Sequence, residues 1–255
     1  MLFAGIALFG RNEDHAVGGL TAVQGGGRGT LEDRDALDVL GIEVRDAVAA
    51  VAARHFGETP TSERTFFRER PAEVAPFERT VTRHTHQIHC IIGCRAYSLQ
   101  DERRLPLALL VNLLGGPSAN SLLNVVVREQ NGLSYNIEAG YTPYTDCGGV
   151  AIYFSSEPCN RDRCIELIRR ELERLKTTPL TSRRLSMAKK QFIAQLAISM
   201  ESNEGYMLGA GKSFLVHDRV DTMEEVYRKV EALTARELTE TAEEIFGETS
   251  QLIYK

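Results

Sequence analysis

The chain has no excess of basic residues, no paired cysteine spacing and no apolar run long enough to cross a bilayer. Each absence removes a class of function. Its 30 Lys and Arg stand against 35 Asp and Glu, a formal net charge of −5. That balance offers no basic footprint for nucleic acid and no polybasic patch for a membrane surface. The cysteines (Cys90, Cys94, Cys147, Cys159, Cys164) are odd in number and include no Cys-x-x-Cys pair. Such usage fits buried or free thiols in a reducing compartment, not a disulfide framework. Met1 to Gly10 is apolar, but too short to span a bilayer, and it lacks a basic lead and a small-residue cleavage site. These features predict a cytoplasmic protein that binds neither nucleic acid nor membrane.

Nucleotide loops are missing as well. Gly205 to Ser213 has the look of a phosphate loop, yet the G-x-x-x-x-G-K-S pattern needs glycine where Tyr206 stands, and helical text precedes it where a strand is required. Residues 1–34 hold Gly18-Gly19 and Gly25-Gly-Gly-Arg-Gly29 with little periodicity. They read as an irregular, flexible segment.

What is present is enough for a sizeable core: 255 residues, 43% hydrophobic. Ile42 to Phe56 has a helical pattern closed by Gly57, and the polar stretch 58–80, with Pro60, Pro71 and Pro76, reads as a linker. Leu107, Leu110, Val111 and Leu114 mark a helix ending at Gly115-Gly116-Pro117. A second helix starts near Ser118, carries Leu122, Leu123, Val126 and Val127, and stops at Asn131-Gly132. Glycine and asparagine past these helices predict left-handed caps. Asn160 to Thr177 is amphipathic, with Cys164, Ile165, Leu167, Ile168, Leu172 and Leu175 inward and Arg169, Arg170, Glu173 and Arg174 on a solvated face. Thr181 opens a longer helix in which Lys189-Lys190 reads as an exposed charge pair. Asp221 is a plausible cap for the next helix, and Thr234 to Glu237 form a capping box for the last. Strands are expected at about 86–96, 133–143, 149–156 and 250–254. The result is an α+β domain, a mainly antiparallel sheet with helices on one face.

His84, His86 and His89 with Cys90 and Cys94 raise a zinc hypothesis. Strand alternation would put His84, His86 and Cys90 on one face. The absence of a nearby acidic partner and the core-strand character of Ile91-Ile-Gly-Cys94 speak for a structural strand instead.

The segment Arg128-Glu-Gln-Asn-Gly-Leu-Ser-Tyr135 resembles the Arg-Glu-Lys-x-Gly-Leu-x-Tyr segment of the insulinase, pitrilysin and mitochondrial processing peptidase family, zinc peptidases with an inverted H-x-x-E-H motif. The resemblance runs from about Leu40 to Lys255 and includes Leu113-Leu-Gly-Gly-Pro-Ser118, Tyr141-Thr-Pro-Tyr144 and Lys212-Ser-Phe-Leu215. It implies the second, Arg- and Tyr-bearing domain of a half-clamshell at 81–255, behind a truncated remnant of a preceding domain at 1–57. Gly5-Ile-Ala-Leu8-Phe9 can be laid over the family's zinc helix, but Leu8 then takes the first histidine position, and no H-x-x-E-H occurs anywhere. By resemblance, Arg128 would hold a peptide carbonyl and Tyr135 would donate a hydrogen bond to the oxyanion. Bottom-up, Arg128 equally suits a helix C-terminus, where a cation is favoured by about 0.3–1 kcal/mol, and Tyr135 a half-buried strand position.

The expectation is therefore a substrate-binding half with no cofactor of its own, inactive alone. Zinc would be carried by a missing half or a partner subunit, and the pair would form a dimer acting on a peptide. The alternative is a non-catalytic scaffold subunit of the same family.

Overall fold

The computed structural model describes residues 9–10, 45–58, 69, 71–72, 74–83 and 85–255. The expected irregular segment, apart from residues 9 and 10, lies outside them, as does His84. The chain divides into two compact units, one of Gly10–Glu69 and one built on Arg70–Lys255. In the first, helix α1 (45–56) is exposed along its length and closes where the Gly57 N–H donates to the Ala53 carbonyl at 2.8 Å.

The second unit holds a five-stranded sheet. Its strands are β1 (Glu78–Val81), β2 (Ile88–Ala96), β3 (Asn136–Pro143), β4 (Gly148–Ser156) and β5 (Ser250–Tyr254), in spatial order β1-β5-β2-β4-β3. All pairings are antiparallel except β1 with β5. The parallel strand β1 emerges at the end of the polar stretch expected to be linker. Four residues beside Pro71 and Pro76 give too little alternation to read, and only the remote β5 supplies their partners.

Alternation along the strands sets the two faces. Ile88, Cys90, Ile92, Ile137, Ala139, Val150, Ile152, Phe154 and Ile253 are buried under helices α2 (Arg104–Gly115), α3 (Arg161–Thr177) and α7 (Ala235–Ile245). The opposite face carries His89, partly exposed Ile91 and Arg95. Helix α2 is buried on both sides. Leu107, Leu110, Val111 and Leu114 face the sheet cluster. Ala108 and Leu109 face a second cluster with Phe192 and Leu196 of α4 (Ser182–Met200) and Val226 and Val230 of α6 (Met223–Ala232). A helix apolar all round is a core helix, and each fully buried leucine stabilises the fold by about 1.5–3 kcal/mol. Helix α5 (Asn203–His217), capped by Ser202, runs straight through Gly205 to Ser213, so that segment is helix and not a loop.

Several local expectations are revised. Gly116 is extended (φ −64, ψ 178) rather than left-handed. A side chain at Gly115 would meet Ala139 N at 2.6 Å, so glycine there permits close helix–strand approach. Asn131 caps by its side chain, donating to the Val126 carbonyl at 2.6 Å, and only Gly132 (φ 62) of that pair is left-handed. The α6 cap is Thr222, in a capping box with Glu225, while Asp221 is buried and accepts from Arg219 and Lys229. Burial would raise the Asp221 carboxyl, but those two cations hold it below its ordinary value. Lys189 is buried and donates to the Glu231 carbonyl. The aliphatic stem of a lysine packs well in a groove whose mouth offers a carbonyl. The capping box of α7 stands as read, with Thr234 and Glu237 bonded in both directions.

Candidate functional site

The chain between α2 and β3 builds the site. Its second helix is not α-helical throughout: Asn124–Glu129 forms a π-helix, with the Gln130 N–H bonding back five residues to Val125 at 2.9 Å. Such wide turns are rare and are found at functional positions. Leu123 and Val127 anchor it in the core. The Gly132 and Leu133 N–H groups then close it on the Arg128 and Val127 carbonyls at 2.9 and 3.1 Å. Left-handed Gly132 turns the chain toward the sheet.

Arg128 occupies the last turn of this helix. Its Nη1 reaches Asn124 Oδ1 at 3.4 Å, and its Nε lies 3.8 Å from Glu129 Oε1. With the side chain 53% exposed, both contacts are weak, and the guanidinium fork stays available to a ligand. Asn124 is itself buried and fixed by a bond to the Ala119 carbonyl.

Tyr135 stands just before β3, three residues later than the strand start expected at 133. Leu133 to Tyr135 are spent on the turn. Ser134, buried, directs its hydroxyl at the Asn136 carbonyl (2.7 Å) and the Ser155 carbonyl (2.9 Å). The Tyr135 N–H donates to Ser155 at 3.1 Å. The Tyr135 ring is 57% exposed, and its hydroxyl donates to Glu157 Oε1 at 3.1 Å. That bond, with the charge of Glu157, raises the phenol above its ordinary value, which extends to higher pH the range over which it can donate. Arg128 and Tyr135 thus flank one turn with both side chains presented outward. No hydrogen bond joins them.

Sequence reasoning missed three supports. Asn124 lies one helical turn from Arg128, a spacing that could have been read. Ser134 was inside the motif but its role depends on β4. Glu157 follows β4 and meets Tyr135 only through the β3–β4 register.

Of the histidine cluster, His84 lies outside the described residues, and His86, His89, Cys90 and Cys94 are not brought together as a metal site. Strand β2 begins at Ile88, so the alternation does not extend back through His86. Cys90 faces the core, where burial and the nearby Cys164 push its thiol up to about 12. His89 faces the other way, with Nδ1 2.8 Å from the Tyr153 hydroxyl. Among the described residues no group of three or more His, Cys, Asp or Glu side chains is placed to hold a metal ion. The donors among the described residues do not fit the zinc that the resemblance assigns to such enzymes.

Comparisons with known proteins bear on the family and the fold. The profile of the peptidase M16 inactive domain matches residues 39–192, beginning ahead of the 58–80 stretch. An uncharacterized zinc protease of Bacillus subtilis is 28% identical over 216 residues, covering 85% of this chain and 52% of the relative. The alpha subunit of the mitochondrial-processing peptidase of Neurospora crassa is 26% identical over 191 residues, covering 69% and 33%. Among solved structures, a Helicobacter pylori protease superposes with a TM-score of 0.72 at 17% identity, covering 82% of this chain and 52% of that one. A peptidase M16 inactive domain from Pseudomonas fluorescens gives 0.70 at 21%, covering 82% and 51%. The chain spans between about a third and a half of the length of the curated relatives it matches. With the family profile covering more than half of its residues, the chain belongs to the peptidase M16 family and carries that family's inactive domain.

Proposed function

We propose that this chain is the substrate-binding, transition-state half of a peptidase M16 enzyme, completed by a zinc-bearing half on a longer chain or a partner subunit. The observation that carries the reading is the outward pairing of Arg128 and Tyr135 around the turn closed by Gly132. The zinc-bearing half would supply the metal-activated water. On this chain, the Arg128 fork would hold a carbonyl of an extended peptide. The Tyr135 hydroxyl, exchanging Glu157 for substrate, would donate to the oxyanion as charge develops on the scissile carbonyl. Residues 81–255 would form the domain facing the partner, with 1–57 left from the domain before it. The five free thiols suit a cytoplasmic setting. No described helix is long and apolar enough to cross a membrane.

A second reading, a non-catalytic scaffold, is favoured by one contact: the Tyr135 hydroxyl is already engaged by Glu157. Reconstitution separates the two. The chain alone should cleave no peptide, and addition of a zinc-bearing half should restore cleavage. In that pair Tyr135→Phe should lower kcat by about 10²-fold, and Arg128→Ala should lower kcat/KM. Unchanged rates in both variants would establish the scaffold.

A further inference from the structure

Behind the helical segment that carries Arg128, a cavity of about 300 Å³ lies between α3, the first turn of α4 and residues 120–130. Three arginines line it (Arg170, Arg174 and Arg184), together with Glu171 and Gln130. Arg174, in the last turn of α3 and paired with Glu171, suits its helix, whereas the other two work against theirs. Arg170 and Arg174 are one turn apart on α3, a like-charge spacing that destabilises a helix. Arg184 sits in the first turn of α4, where the helix dipole disfavours a cation. Neither Arg170 nor Arg184 has an ion pair among the described residues. Glu171 is the counterweight, only 4% exposed. Its Oε2 lies 2.6 Å from Arg174 Nη2, an ion pair that offsets one of the three guanidinium charges. A carboxylate this buried marks the arginine-lined surface as more than an ordinary solvated face.

We propose that this cavity binds hydrogen phosphate, HPO4²⁻. Three guanidinium groups and one carboxylate leave a net charge of +2, which the dianion balances. Guanidinium forks suit phosphate oxygens, and the Gln130 amide adds a neutral donor. The buried carboxylate sets the selectivity. A carboxylate can only accept, so it tolerates an oxyanion that still carries a proton to donate. Hydrogen phosphate has that O–H at neutral pH. Sulfate, of similar size and charge, does not, and a phosphate monoester has largely lost its own, its second pKa being about 6.

The test is calorimetric titration of the full chain at pH 7.5 and low ionic strength, with inorganic phosphate, sulfate and glycerol 3-phosphate. Phosphate should bind saturably with one site per chain, and sulfate and the ester at least about tenfold more weakly. Arg170→Gln combined with Arg184→Gln, both exposed changes, should weaken phosphate by a similar factor. Glu171→Gln should erase the preference over sulfate. Should that buried change prevent folding, the phosphate-to-sulfate ratio of the unaltered chain decides alone. Equal binding of sulfate or ester, no saturable phosphate binding, or unchanged affinity in the double arginine variant would each overturn the proposal.

Discussion

The hydroxyl of Tyr135 has a single hydrogen and two claims on it. In the free chain Glu157 holds it, and on the proposed mechanism a peptide oxyanion takes it. A phenol raised by its bond to Glu157 keeps its proton below that raised pKa and loses it only as pH climbs through it. The alkaline limb of cleavage by the reconstituted pair should therefore lie above the ordinary tyrosine range. Glu157→Gln removes the negative charge and should move that limb to lower pH, as a pH profile of kcat/KM would reveal. An unmoved limb would mean that Tyr135 does not donate in the rate-limiting step. Arg128 behaves differently: its contacts with Asn124 and Glu129 are long, so little must be broken before it meets a ligand.

Among the elements, the approach of α2 to β3 determines where the site turn can sit. An alanine at 115 would place its Cβ 2.6 Å from Ala139 N and 2.7 Å from Ala139 Cβ, both in a strand that cannot yield. Gly115→Ala should cost about 1–3 kcal/mol by overpacking, read as a drop in the urea midpoint. Gly132→Ala has open space around it but a φ of 62. Its cost should be about 1 kcal/mol, from the backbone alone. A larger loss at 132 than at 115 would contradict this assignment of causes. Helices α3 and α7 and the strands β2, β3, β4 and β5 were legible because their periodicities are strong and their caps local. What was not legible depended on distant partners. The register of β1 is set by β5, the burial of Lys189 by the Glu231 carbonyl, and the role of Asp221 by Arg219 and Lys229. In the site, the Arg128 and Tyr135 positions came from a contiguous motif. The π-helical turn beneath Arg128 did not, since hydrophobic spacing does not separate a wide turn from an ordinary one over six residues.

For the molecule as a whole, burial has a price at high pH. The Cys90 and Cys94 thiols, ordinarily at 9.0, are each pushed up to about 12, Cys90 by burial and by Cys164, Cys94 by burial alone. Folded-state values above the unfolded ones mean that the unfolded chain releases protons first as pH rises. Stability should be fully present below about pH 9 and decline from there toward pH 12. Buried Tyr97 and part-buried Tyr141, also raised, add to the same trend. Urea midpoints should hold from pH 8 to about pH 9 and fall from there to pH 10.5, and a flat profile throughout would show that the thiols are not held neutral.

The double burial of α2 has a consequence for how the protein comes apart. Neither the sheet layer nor the outer helices can loosen without uncovering one side of α2, so the two layers share a single keystone. Partial opening then leaves no well-packed remainder, and the Arg70–Lys255 unit should melt in one cooperative event. Hydrogen exchange would register this as α2 amides that trade with solvent only at the rate of global unfolding, while α1 amides, on an exposed helix, trade long before.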